Sequence, residues 1–300
     1  MRLMRWGTVS LPGGRRLGYA ECGDLEGHPV LYLHGVPGTR IARVGSAAEY
    51  RKRGLRLVTV DRPGCGVSTL GAPRRLLDWP EDVAALMGAL GISRFSILAQ
   101  SGGAPFALAC AYRMPDRITS LVISSGAGPL YLPGARRGMK PLNRLALRLL
   151  GARRLSFAVW AALRGAFAVA PDLVIDYVLC LGSPPADAVL LARPDIKRLS
   201  RRMLRLAIRN GISGVVEEMR VVAGPWGFDP EQVPIRARFW HGDQDNTVPV
   251  AHAAYLASAI RGSSLIVCPG EGHMVMWRHL DEMLDALAAD AYAERLETTA

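Results

Sequence analysis

Long unbroken apolar runs, cysteine pairs and metal-ligand spacings are all missing from this sequence, and each absence excludes a class of protein. The most apolar region, residues 155–181, is interrupted by Arg164, Pro171, Asp172 and Asp176, so no integral membrane segment is expected. The opening Met1-Arg2-Leu3-Met4-Arg5-Trp6-Gly7 has no apolar stretch of signal-peptide length, and no export signal is expected. The cysteines (Cys22, Cys65, Cys110, Cys180 and Cys268) are scattered, odd in number and without CxxC spacing. They fit free thiols in a reducing compartment, which makes the cytoplasm the expected location. His28, His241, His252 and His279 show no His-Glu-x-x-His or comparable ligand spacing, so no metal is expected. Internal repeats and low-complexity tracts are absent as well.

Negative charge is also in short supply. Lys and Arg number 37 against 26 Asp and Glu, a formal net charge of +11. The surplus is nearly all arginine and is densest between Arg136 and Arg220. Such a surplus can serve nucleic acid or an anionic membrane. No RRM, KH, helix-turn-helix or zinc-finger pattern accompanies it, however, and arginine replaces lysine throughout, as a coding bias would produce. A nucleic-acid partner is not expected. The sequence carries no signal of oligomeric state.

What is present is a regularly patterned chain of 300 residues, 50% apolar, with a mean hydropathy of +0.15. That is enough for one large domain, or for a core with an insertion. Residues 7–22 read as an edge hairpin around Pro12-Gly13-Gly14. Strands follow at 28–33, 55–60, 95–100 and 118–124, with helices near 46–53, 79–90 and after Ser101. From residue 127 to 233 the period is helical. Leu142, Leu145, Ala146 and Leu149 line one expected face, and Lys140, Arg144 and Arg148 form a basic stripe read as solvated. Further helices are expected at 155–169, 173–181, 186–192 and 196–208, with breaks at Pro171, Pro184-Pro185, Pro194 and Gly211. The sheet resumes at 236–240 and 265–267, with helices at 251–260 and 276–289.

Strands alternating with helices imply crossover connections and a mainly parallel sheet covered on both faces. The expected organisation is therefore α/β: a core from residues 1–126 and 234–300, with an all-helical cap at 127–233. Phe157, Trp160, Phe167, Tyr177 and Trp226 are expected to pack inside that insertion. Ligands of such sheets lie at the carboxyl ends of the strands.

One stretch organises the chemistry. In Phe95-Ser96-Ile97-Leu98-Ala99-Gln100-Ser101-Gly102-Gly103-Ala104-Pro105 an apolar strand stops at a serine flanked by small residues. A strand that enters a helix this sharply needs a strained turning residue, and small side chains at Ala99 and Gly103. Pro105 fits a first helical turn, whose N–H groups have no intrahelical partner. An ordinary N-cap loop reads much the same, so the later loops have to decide. They are Gly242-Asp243-Gln244-Asp245-Asn246-Thr247-Val248-Pro249 and Cys268-Pro269-Gly270-Glu271-Gly272-His273. A serine hydroxyl needs an imidazole to take its proton, and the imidazole needs a carboxylate to fix its tautomer. Ser101, Asp245 and His273 supply all three in the order Ser, Asp, His.

With these residues in view, the chain resembles the α/β-hydrolase superfamily. The resemblance rests on His-Gly-x-Pro-Gly at His34, Asp-x-Pro-Gly-x-Gly-x-Ser at Asp61, the elbow at Ser101, and Gly-x-x-Asp-x-x-Val-Pro ahead of Gly-x-Gly-His. It covers everything outside the helical insertion, and alanine stands at the first small position of the elbow where glycine is commoner. It implies Ser101 as nucleophile, His273 as general base and then acid, and Asp245 as the orienting acid, with Asp243 as rival. It implies an oxyanion hole from the backbone N–H groups of Val36 and Gly102, with His34 and Gly35 as the supporting loop. Asp61 and Arg62 would form a structural turn, Glu271 a solvated neighbour of His273, and Cys65 a rim residue without a catalytic role. Serine rather than aspartate at the elbow implies an acyl-enzyme, no cofactor and a small-molecule substrate. Ester, lactone or thioester hydrolysis is the leading expectation. Carbon–carbon bond hydrolysis, perhydrolysis and acyl transfer fit the same residues, and a non-catalytic receptor is the alternative from another class.

Overall fold

The computed structural model describes residues 4–299, with side chains described except at 150, 151, 153, 178–181 and 297–299. A single eight-stranded sheet runs through the core in the order β1-β2-β4-β3-β5-β6-β7-β8. Strand β1 (Arg5–Leu11) and strand β2 (Arg15–Gly23) form the expected antiparallel hairpin, and β2 pairs antiparallel with β4 (Leu55–Val60). The remaining pairings, through β3 (His28–Leu33), β5 (Phe95–Gln100), β6 (Ile118–Ser124), β7 (Arg238–Gly242) and β8 (Ser264–Cys268), are parallel. The fold is thus α/β with a mainly parallel sheet flanked by helices.

Parallel strands need crossovers, and the helices supply them on both faces. Helices α1 (Ala47–Lys52), α2 (Trp79–Ala89) and α3 (Ala104–Arg113) follow β3, β4 and β5. Ser46 caps α1 in a reciprocal capping box with Glu49, which explains why that short helix starts where it does. One buried cluster joins the sheet to α2 and α3 through Leu33, Val83, Leu86, Ile97, Phe106 and Phe239. A second, on the opposite face, is built by Tyr32, Tyr50, Leu98, Trp240, Met283 and Leu287.

Six helices lie between β6 and β7: α4 (Pro141–Gly151), α5 (Arg153–Val169), α6 (Pro171–Gly182), α7 (Ala188–Leu191), α8 (Pro194–Ala207) and α9 (Ser213–Ala223). Pro171 and Pro194 start helices rather than merely ending them, as a residue without a needed N–H can. Helix α9 lies beyond the break at Gly211 and is one the sequence reading does not delimit. Helix α4 also differs from expectation. Leu142 and Leu145 are 43% and 51% exposed, while Leu147 packs on the core. Lys140 is not simply solvated either, since its ammonium donates to the Ser183 carbonyl. Trp160, Phe167 and Trp226 are buried and Phe157 packs beside the first two, but Tyr177 is 62% exposed.

The chain closes with α10 (Ala251–Ala259) and α11 (Leu280–Thr299). Most element bounds move by a residue or two from those expected, and β7 and α11 are the shifts that bear on the site. Strand β7 starts at Arg238 and runs on through His241 and Gly242, and α11 starts at Leu280 after a short 3-10 turn over Val275–Trp277. Cys22, Cys65, Cys110 and Cys268 are free and buried, and Cys180 lies outside the described side chains. Cys65 belongs to the buried cluster under α5, α6 and α9 rather than to a rim. Among the described residues no helix is long and apolar enough to cross a membrane.

Candidate active site

Strand register assembles the site. Leu33 of β3 pairs with Ala99 of β5, so the loop beginning at His34 leaves the sheet beside Ser101. Gln100 pairs with Ser124 on β6, and Ser124 pairs with Trp240 on β7. Gly242 of β7 pairs with Cys268 of β8, which sets the Asp245 and His273 loops side by side. All four loops therefore leave the sheet at its carboxyl edge.

Ser101 adopts φ +52°, a left-handed conformation that side chains rarely take. The turn is tight enough that a Cβ on Gly103 would lie 2.1 Å from the Leu33 carbonyl oxygen. Ala99 is fully buried and Pro105 sits in the first turn of α3. The small residues around Ser101 are thus steric requirements of the elbow.

Ser101 Oγ lies 2.9 Å from His273 Nε2, and His273 Nδ1 lies 2.7 Å from Asp245 Oδ2. An ionised carboxylate only accepts, so Nδ1 carries the proton and Nε2 offers its lone pair to the hydroxyl. Asp245 Oδ1 accepts from the N–H groups of Thr247 and Val248, each at 2.9 Å. Its Oδ2 is also 3.3 Å from His241 Nε2, whose main acceptor is the Val248 carbonyl at 2.7 Å. Burial opposes ionisation of Asp245, but the His273 charge and the hydrogen bonds from His241 and His273 prevail, holding its carboxyl well below the usual carboxylate range. Burial likewise disfavours the charged form of His273. The Asp245 charge and hydrogen bond, aided by the Asp187 charge, nonetheless raise its pKa above 6.5.

Asp243 does something else: its carboxylate accepts the Gly270 N–H at 2.8 Å. Of the two aspartates, Asp245 is the one on His273. His34 is buried with Nδ1 2.8 Å from the Gly35 carbonyl and Nε2 3.1 Å from the Val60 carbonyl. Burial and the neighbouring Arg62 charge hold it far below the ordinary histidine pKa, so its imidazole is neutral. Val36 and Gly102 are adjacent: a Cβ on Gly102 would lie 3.5 Å from the Val36 nitrogen. The Val36 N–H has no acceptor among the described residues.

Several partners of these loops carry no sequence signal. Asp187, in the turn between α6 and α7, accepts the His273 N–H at 2.7 Å and the Met274 N–H at 3.3 Å. A Cβ on Gly272 would sit 2.6 Å from either oxygen of Asp187, which gives the second glycine of Gly-x-Gly-His a steric reason. Glu218 of α9 pairs with the buried Arg62 guanidinium. Arg62 in turn donates to the His34 carbonyl at 2.8 Å and the Gly35 carbonyl at 2.9 Å. Asp61 is structural as expected, pairing with Arg40 and accepting the Val67 N–H at 3.0 Å. Glu271 is half-buried rather than solvated, 3.0 Å from His279 Nε2. Nothing marks Asp187 or Glu218 in the sequence, because each acts through a contact made only in the folded chain, whereas His241 follows the expected strand end at Trp240 and so lies within reach of the site.

A cavity of about 340 Å³ opens over Ser101 and His273. Its walls include Val36 and Val44 from the core, Leu199 and Met203 from α8, and Trp277. Among the described residues no cluster of His, Cys, Asp and Glu is arranged to hold a metal ion.

The model of the Alpha/beta hydrolase family matches residues 30–289. Proline iminopeptidase of Xylella fastidiosa is 34% identical over 124 residues, a match covering 39% of this chain and 38% of that protein. The chain thus spans well under half the length of that relative. 2-Hydroxymuconate semialdehyde hydrolase of Pseudomonas putida is 25% identical over 278 residues, covering 92% of this chain and 90% of its own. Among solved structures, a hydrolase from Pseudomonas aeruginosa PA01 superposes with a TM-score of 0.70 at 19% identity, over 95% of this chain and 98% of that one. That identity speaks to the fold alone. Sheet order, elbow and matched length lead to one assignment: this chain belongs to the alpha/beta hydrolase family.

Proposed function

We propose that the protein is a serine hydrolase that cleaves a carboxylic ester, lactone or thioester of a small, largely hydrophobic substrate through an acyl-enzyme. The observation that carries this reading is the hydrogen-bonded chain from Ser101 Oγ through His273 to Asp245, under an open cavity. His273 Nε2 takes the hydroxyl proton as Oγ attacks the carbonyl, and Asp245 stabilises the imidazolium that forms. The developing oxyanion points at the N–H groups of Val36 and Gly102. Donors fixed in this way are each worth roughly 10²–10³ in rate. His273 then protonates the leaving alcohol, and water activated by the same imidazole releases the acid. No cofactor enters this scheme. Residues 127–233 act as a cap, and residues 1–126 with 234–300 as the catalytic core.

Carbon–carbon bond hydrolysis is the second reading. It is favoured by the nearly full-length similarity to the semialdehyde hydrolase. Perhydrolysis, acyl transfer and ligand reception use the same residues and are outcomes of the test. That test is a panel of p-nitrophenyl esters from acetate to long acyl chains, run on the wild type and Ser101→Ala beside fluorophosphonate labelling. The reading requires turnover and labelling that both vanish in Ser101→Ala. Labelling of Ser101 without turnover of any ester shifts the assignment to carbon–carbon bond cleavage or transfer. No labelling, with tight ligand binding, makes the protein a receptor.

A further inference from the structure

Apart from the histidines His34 and His273, the described residues lining the cavity over Ser101 are uncharged with a single exception. Among the described residues lining it, Arg43 alone is an arginine, lysine, aspartate or glutamate. A half-buried guanidinium normally has a counter-ion. Arg43 has no carboxylate partner among the described residues, and its side-chain bond goes to the Gly45 carbonyl of its own loop. The carboxylate that senses its charge, Glu49, is held by the Ser46 N–H in the cap of α1. Asp195, across the neighbouring space, is taken by Arg193 at 2.7 Å.

The position of Arg43 matters as much as its charge. A second cavity of about 420 Å³ shares Arg43, Ile196, Leu199 and Trp277 with the first but is not lined by Ser101 or His273. Arg43 therefore stands where the two spaces meet, on the border with a cavity that neither reacting group lines. Arg202 lines the outer cavity too, so that border is basic overall. A wall that is partly apolar and carries one fixed charge orients an elongated ligand, since the charge accepts only one of its ends.

We infer that Arg43 is a carboxylate subsite, so that the substrate is an anionic ester whose carboxylate lies at the end remote from the bond cleaved at Ser101. The inference rests on the hydrolase reading for the cleaved bond, but the ligand preference can be measured without turnover. The planar guanidinium offers two parallel N–H donors to a carboxylate, and such charge-assisted pairs are the strong ones.

The experiment is calorimetric titration of hexanoate and of hexanamide into Ser101→Ala protein. Hexanoate is expected to bind about 10-fold more tightly or better, as a charge-assisted bond allows. Adding Arg43→Gln brings hexanoate down to the affinity of hexanamide, whereas Arg43→Lys, which keeps the charge, retains a preference. Leu199→Glu sets a carboxylate beside Arg43 from α8 and weakens hexanoate selectively without removing the guanidinium. Equal affinities in the Ser101→Ala protein, no measurable hexanoate binding, or a preference that survives Arg43→Gln would overturn the subsite. A Ser101 that fails to label with fluorophosphonate sinks the hydrolase reading instead, and that outcome is independent of these titrations.

Discussion

The two aspartates of one loop, two residues apart, show how far side-chain chemistry is decided by a few ångströms. Asp245 accepts from His273 and from two backbone amides, while among the described residues the Asp243 carboxylate ties down Gly270 alone. Asp245→Asn is expected to reduce kcat by about 10⁴-fold, because an amide at that position favours the wrong imidazole tautomer. Asp243→Asn is expected to cost less than 10-fold, a difference read by steady-state kinetics on one ester. The pH profile follows from His273. Its pKa is raised above 6.5, and the protonated imidazole has no lone pair for the Ser101 proton. Activity is therefore lost as pH falls through that raised value, so the acid limb of kcat/KM is expected above pH 6.5 with a plateau on the alkaline side. A limb centred below the ordinary histidine value would contradict the Asp245 contact. At this scale Ser101, Asp245 and His273 were legible because glycines and strand ends bracket them. His241 was legible only as a residue within reach of the site from its strand end, because its contact with Asp245 depends on β7 running two residues further than its alternation implies.

At the scale of elements, two acidic residues from the segment between β6 and β7, one in a turn and one on a helix, hold loops of the core. Asp187 grips the backbone at His273, and Glu218 holds Arg62 against the carbonyls of His34 and Gly35. Asp187→Asn keeps the volume but sets an amide group against a backbone donor, a loss of roughly 1–3 kcal/mol at the loop. The account expects kcat to fall about 10-fold or more with KM little changed. It also expects the acid limb to move to lower pH, because the Asp187 charge helps to raise His273. A purely structural role would leave the limb in place. Glu218→Gln removes the counter-ion of a guanidinium that is 1% exposed, and urea unfolding should show a loss of about 3 kcal/mol or more. These ties escaped the sequence because an acid in a turn or on an amphipathic helix looks solvated wherever its partner lies on another element. Helix α4 misled for a related reason. It carries leucines around much of its circumference, so periodicity alone does not tell Leu147, which packs inward, from Leu145, which does not.

For the molecule as a whole, the sheet is legible in the sequence where strands are buried on both faces. Residues 55–60 and 118–124 are rich in aliphatic and β-branched residues and have sharp ends, and they form β4 and β6 at those bounds. The order of strands, in contrast, is set by crossovers that no local pattern records. The inserted helices are tied to the core at several places besides Asp187 and Glu218. Gly66 donates to the Leu206 carbonyl at 3.2 Å, Asn210 to the Gly66 carbonyl at 2.9 Å, and Thr247 to the Gly182 carbonyl at 2.9 Å. Insertion and core are therefore expected to unfold together. Far-UV circular dichroism and tryptophan fluorescence should give coincident urea transitions, since Trp160 reports on the insertion and Trp79 and Trp240 on the core. Two separated transitions would mean an insertion stable by itself. The whole account depends on loops from distant parts of the chain acting as one proton relay on Ser101. Rapid-quench intact-mass spectrometry during turnover of a p-nitrophenyl ester tests it most directly. The account predicts a transient mass gain equal to the acyl group, mapped to the peptide containing Ser101 and absent in Ser101→Ala; ester turnover with no such adduct, or with the acyl group on another residue, would contradict it.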